Sequence, residues 1–132
     1  MTRYLTEKEI LLLNWLMIKK YTPKEPHGIK DVALFQSVVN RPKQSAFGED
    51  AYPTIWEKAA ALYASLCQNH SFLSANKRTG FAAMKQFLWV NGYLLTAPEK
   101  MAEDYTLKMV MEKPSIKEIA AWIEKHSSPR DL

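Results

Sequence analysis

The chain has 132 residues, 47% of them hydrophobic, and a net charge of +4. That is enough for one globular domain over 1–132, burying roughly two-thirds of its unfolded surface, and no repeat or low-complexity tract breaks it. The apolar runs are interrupted every few residues and the only cysteine is Cys67, which leaves no expectation of a membrane span, a secretory leader or an intrachain disulfide and points to a reducing, cytoplasmic setting.

Capping patterns of the form Ser/Thr-x-x-Glu mark helix starts at Thr6 with Glu9, Thr54 with Glu57, Thr96 with Glu99, and Ser115 with Glu118. The first helix is predicted from about Glu7 to Lys20, stopping before Pro23. Its apolar set of Ile10, Leu11, Leu13, Trp15, Leu16 and Ile18 is wider than one stripe, which predicts burial around much of its circumference. A shorter helix from Asp31 to about Val39 ends before Pro42. A polar, non-helical excursion of about ten residues follows, Arg41 to Tyr52, and excursions of that length in compact domains are functional or mobile. A long central pair, Thr54 to Gln68 and Asn76 to Asn91, closes on Gly92. Pro98 is expected at the first helical position of a segment running to Glu112, and a last helix spans Ile116 to Lys125. Nothing alternates enough for a large sheet, so the fold class is all-α.

The most informative stretch connects the central pair: Asn69-His70-Ser71-Phe72-Leu73-Ser74-Ala75-Asn76-Lys77-Arg78-Thr79-Gly80. Its last residues open a helix, where unpaired N–H groups and the positive end of the macrodipole favour an anion. Lys77 and Arg78 are cations at the end of a helix where cations are the wrong sign, a mismatch of a few tenths to about 1 kcal/mol that an anionic partner relieves. His70, a group able to accept a proton, precedes this cradle. Together these residues suggest phosphate chemistry on a hydroxyl. The bland alternative is a histidine that only meets helix carbonyls, beside a solvated first turn.

The order His-x-Phe-x-x-Ala-Asn-Lys-Arg-Thr resembles the signature loop of the Fic/Doc superfamily, in its Doc (death-on-curing) branch. Where the broader Fic pattern has glycines this chain has Ala75 and Lys77, and it has Phe81 in place of a second arginine. The similarity extends to Arg3-Tyr4-Leu5-Thr6, Asn40-Arg41-Pro42, Gly48 to Tyr52, Glu57 to Leu62 and Asn91-Gly92-Tyr93. It implies a compact bundle of about six helices with a short β-hairpin flap over Gln44, Ser45, Ala46 and Phe47, which docks a target protein by strand addition.

The resemblance also implies roles. His70 would be the general base, with Asn76 and Arg78 beside it as catalytic residues. Ala75, Asn76, Lys77 and Arg78 would bind the phosphates of ATP, and Phe72 would anchor the loop in the core. Ser74 stands at the magnesium position, where the family carries Asp or Glu. A hydroxyl can ligate magnesium but brings no charge, so the metal would be held mainly by phosphates and water. Lys77 fills the space that serves AMP transfer, so the implied reaction is transfer of the terminal phosphoryl group of ATP to a protein hydroxyl. AMP transfer, or a weakened nucleotide-binding module, is the alternative reading. The implied setting is a toxin acting on a translation factor and restrained by an antitoxin. Ser45 to Glu49 imperfectly matches the internal inhibitory motif of some Fic proteins and ends in Asp50, so restraint in trans by an antitoxin helix on an apolar groove is expected.

Other residues carry less. Lys19-Lys20, Lys24, Arg41, Lys43, Lys77-Arg78, Lys100 and Lys125 form no dense stripe, so no direct nucleic-acid partner is expected. His27 and His126 lack partners at metal-ligand spacing. Trp15, Trp56, Trp89 and Trp122 read as core or groove residues, and Met101, Met109 and Met111 as gap-fillers.

Overall fold

The computed structural model describes residues 1–131. Six helices follow in order: α1 (Glu7–Tyr21), α2 (Val32–Asn40), α3 (Ile55–Gln68), α4 (Asn76–Val90), α5 (Glu99–Glu112) and α6 (Ile116–Lys125). A 3-10 turn at Arg41–Lys43 extends α2, and strands β1 (Ser45–Ala46) and β2 (Glu49–Asp50) form the hairpin between α2 and α3. The mostly helical fold and the short hairpin agree with the reading of the sequence.

The centre of the molecule is α3. Every residue from Lys58 to Cys67 is buried, and α4 and α6 pack against it along most of its length. Small residues make this possible: Ala59, Ala60 and Ala61 are fully buried and let neighbouring helices approach. The closest approach is at Gly80 of α4. A Cβ there would lie 2.4 Å from the Cys67 sulfur and 3.1 Å from the Cys67 backbone nitrogen, so a side chain would force the two helices apart.

The caps explain the helix starts, with one correction. Thr6, Thr54 and Ser115 accept from the amides of Glu9, Glu57 and Glu118 at 3.0–3.1 Å. Thr96 does not cap α5. Its amide and hydroxyl both donate to the carbonyl of His126, at 2.7 and 2.9 Å, because Thr96 directly follows a strand. That strand, β3 (Tyr93–Leu95), pairs antiparallel with β4 (Ser127–Pro129) in the register Leu94 to Ser128. The sequence reading missed this second two-stranded sheet, whose short strands are separated by α5 and α6. Pro98 sits one position before α5, at its cap, where no side chain bonds to the helix.

Burial on α1 also differs from expectation. Of its apolar set only Ile10 and Ile18 are buried, joined by Asn14, while Leu12, Trp15 and Leu16 are exposed. The helix lies on the surface of the bundle, and its outer face has no helix to meet. Trp89 is exposed beneath the Arg130 guanidinium, 4.6 Å from its ring centre. Met109 is core, whereas Met101 and Met111 are exposed.

Candidate functional site

The site is the connection between α3 and α4. The chain leaves α3 at Asn69 and turns through His70, whose φ of 52° is left-handed. It then runs extended beside residues 28–31. The Ser71 carbonyl accepts from the amides of Lys30 and Asp31 at 2.8 and 3.3 Å, and the Leu73 amide donates to the Gly28 carbonyl at 3.0 Å. Phe72 is buried, with its ring 5.3 Å from that of Phe35. A second left-handed residue, Ala75 (φ 59°), turns the chain into α4. Two non-glycine residues in this region cost about 1–2 kcal/mol each, which the surrounding bonds must offset.

Asn76 supplies two of those bonds. Its side-chain oxygen accepts from the Phe72 amide at 3.1 Å and its side-chain nitrogen donates to the Phe72 carbonyl at 3.3 Å. The amide group thus acts as a strand partner inside the loop. Asn14, on α1, supplies three more. Its Nδ2 donates to the Ser74 carbonyl and to the Thr79 hydroxyl, both at 3.1 Å, and its Oδ1 accepts from the Gly28 amide at 3.2 Å. Asn14 is 1% exposed and ties α1, the loop, α4 and the 28–31 segment together. The sequence reading did not single it out. The available signal was one carboxamide in the apolar run Leu11-Leu12-Leu13-Asn14-Trp15-Leu16.

The predicted site residues fall on three sides of this scaffold. His70 is exposed, and its imidazole has no hydrogen-bond partner among the described residues. The first turn of α4 has no capping side chain and no acidic residue, so its amides stay open to an anion. Lys77 is exposed at that turn, and its carbonyl lies 3.6 Å from the Cys67 sulfur. Arg78 turns to the C-terminal end of α1. Its guanidinium donates to the Met17 carbonyl at 3.3 Å and to the Thr22 hydroxyl at 3.1 Å, and it lies 3.6 Å from the Glu25 carboxylate. Carbonyls at a helix C-terminus attract a cation, so Arg78 here is braced from α1. Glu49 lies on the exposed hairpin, and Glu25 is the carboxylate that meets Arg78.

Ser74 donates its hydroxyl to the Pro26 carbonyl at 2.7 Å. Among the described residues no group of three His, Cys, Asp or Glu could hold a metal ion. With no such group and with the Ser74 hydroxyl engaged, the donor set does not fit a magnesium ion held by the protein alone.

A groove flanks the loop, and a hairpin stands against α3. A groove of about 670 Å³ runs between α1, α4 and α5, with Phe81, Ala102 and Leu107 among its apolar lining, Lys77, Arg78 and Lys85 on α4, and Glu99 and Glu103 on α5. On another side stands the β1–β2 hairpin. Ser45 faces Asp50 and Ala46 faces Glu49, and the Ala51 amide donates to the Gln44 carbonyl at 2.9 Å. Phe47 and Gly48 make the turn with φ of 54° and 80°, a conformation glycine adopts freely and phenylalanine does not. Phe47 is fully exposed.

Two comparisons bear on this arrangement. The Fic/DOC family model matches residues 4–88, which include α1, the hairpin, α3, the loop and most of α4. A protein named Toxin Doc from Mycolicibacterium smegmatis is 36% identical over 123 residues, covering 92% of this chain and 91% of that protein. On both grounds the chain belongs to the Fic/DOC family.

Proposed function

We propose that the protein is a Doc-like toxin that transfers the terminal phosphoryl group of ATP to a hydroxyl of a target protein. The observation that carries this reading is the loop's layout: an exposed imidazole without an internal partner at one end, and at the other an uncapped helix N-terminus bearing Lys77. The target oxygen attacks the γ-phosphorus, the bond from that phosphorus to the bridging oxygen breaks, the proton passes to His70 and ADP leaves. The open amides and Lys77 offset charge on the phosphates, and Asn76 and Asn14 keep the donors in place before the substrate arrives. Magnesium would enter with ATP as part of the substrate, held by phosphates and water and not by this chain.

A target segment adds to the hairpin edge at Ser45–Ala46, and a translation factor is the first target to test. The relative named Toxin Doc supports the toxin reading, which calls for an antitoxin. Its seat is the groove beside the loop, whose apolar lining suits an amphipathic helix that is disordered when free, with acidic residues toward Lys77 and Lys85 on α4 and basic ones toward Glu99 and Glu103 on α5. ATP as co-substrate makes the cytoplasm the working compartment.

A nucleotide-binding module without turnover is the second reading, favoured by the Ser74–Pro26 bond. Incubating the protein and its His70→Ala variant with a cell lysate and γ- or α-labelled ATP decides among the readings. Label from the γ position alone, lost in His70→Ala, supports phosphoryl transfer. Label from the α position means AMP transfer, and ATP binding with no transfer of either label means a binding module.

A further inference from the structure

Lys58 is a lysine with no evident reason to be inside the protein. Its side chain is 4% exposed and its ammonium donates to Asp50 at 3.0 Å and to the carbonyl of Tyr52. Its partner Asp50 is 55% exposed, so the lysine alone carries the cost of burial, and a pair of that kind seldom stabilises a fold more than apolar residues of the same size would. What such a pair does well is fix one position against another. Here it fixes β2 of the hairpin, where Asp50 stands opposite Ser45, to the N-terminal half of α3.

The other foot of the hairpin is held in the same way. Arg41, just before β1, donates from Nε to the Tyr52 hydroxyl at 2.9 Å and from a terminal nitrogen to the Ser65 hydroxyl at 2.6 Å. Its guanidinium also lies 5.4 Å from the centre of the Tyr52 ring. Tyr52 is thus gripped at both ends, carbonyl by Lys58 and hydroxyl by Arg41. Both cations are anchored to α3, at Lys58 itself and at Ser65, and α3 ends two residues before His70. Ser65 lies about one and a half helical turns from that histidine. One rigid helix therefore sets both the hairpin edge and the imidazole.

We propose that Arg41 and Lys58 are positioning residues for the target: they latch the hairpin to α3, so that a segment added to its edge presents its hydroxyl at a fixed distance from His70. A one-residue slip of such a segment turns every side chain to the opposite face, so an unlatched hairpin loses the correct register. This inference rests on the phosphoryl-transfer reading above. Neither residue touches the reacting atoms.

The test uses Lys58→Met combined with Asp50→Asn, which removes both charges and keeps the buried volume, and separately Tyr52→Phe, which frees Arg41 Nε. The expected result is at least tenfold faster exchange of the Ala51 amide with unchanged exchange in α3. In transfer from γ-labelled ATP to a soluble lysate, the lysate concentration giving half-maximal rate should rise several-fold, with the same plateau rate and the same ATP dependence. Unchanged Ala51 exchange in both variants overturns the latch. Faster exchange with an unchanged half-maximal concentration, or a fall in the plateau alone, overturns its role in docking. A wild-type protein that transfers no label overturns the phosphoryl-transfer reading and the docking role with it, while amide exchange still decides the latch.

Discussion

Asn76 and Phe72 hold each other through both ends of one amide: the Phe72 N–H and C=O are each bonded to the Asn76 side chain, at 3.1 and 3.3 Å. The loop keeps two left-handed residues in place because of such bonds. Asn76→Ala removes both and should cost about 1–3 kcal/mol in urea unfolding. Asn76→Asp keeps the acceptor for the Phe72 amide but turns a carboxylate oxygen toward the Phe72 carbonyl and sets a negative charge beside Lys77, so it should be the weaker ATP binder of the two variants in a nucleotide titration.

His70 is strained and exposed at once. Replacing it by glycine removes the cost of its positive φ as well as its imidazole. His70→Gly should therefore abolish transfer while matching the wild type in stability or exceeding it by up to about 1 kcal/mol. His70→Ala keeps the strain and should be inactive with no such gain. Thermal unfolding of the two variants side by side tests the strain at His70, and loss of stability in His70→Gly would contradict it.

Ser74 carries a hydroxyl bonded to the Pro26 carbonyl, at the position where the resemblance implies a metal-binding carboxylate. Ser74→Asp takes the donor away from the Pro26 carbonyl, at a cost of about 1 kcal/mol, and supplies a charged magnesium ligand. ATP titrations with magnesium and with a chelator should show that the variant binds more tightly only when the metal is present. Equal behaviour of variant and wild type would mean that this side chain does not face the bound phosphates.

Burial pushes the Cys67 thiol up to about 12 from its ordinary 9.0, against a smaller opposing effect of the Lys77 charge. Between those values the unfolded chain loses its thiol proton and the folded chain keeps it. The native state then binds more protons, so stability is full below pH 9 and falls as pH rises, by at most about 1.4 kcal/mol per unit. Burial also raises the Tyr63 phenol, which steepens the fall above pH 10. Urea unfolding from pH 7 to 10.5 should show a smaller decline in Cys67→Ala than in the wild type.

The sequence disclosed what depends on neighbours along the chain. The caps at Thr6, Thr54 and Ser115 bond to amides three residues on, and the His70-to-Thr79 order marks the loop by itself. It concealed what depends on distant partners. Thr96 looks like a cap until His126 claims its hydroxyl. The outer face of α1 reads as core because leucine is leucine on either side of a helix. The 26–31 segment supports the loop through the Pro26 and Gly28 carbonyls and the Gly28, Lys30 and Asp31 amides, groups that every residue type carries or nearly so. Nothing along the chain marks Lys58 as buried, and only the packing of Asp50 and Tyr52 against it shows that it is.

The direction of synthesis gives the groove a further meaning. Asn14, the 26–31 segment, α3, the loop and α4 all precede residue 91, and together they build the candidate site. The far wall of the groove is α5, which begins at Glu99. On a ribosome every part of the loop is therefore made before the surface against which a partner in the groove could close.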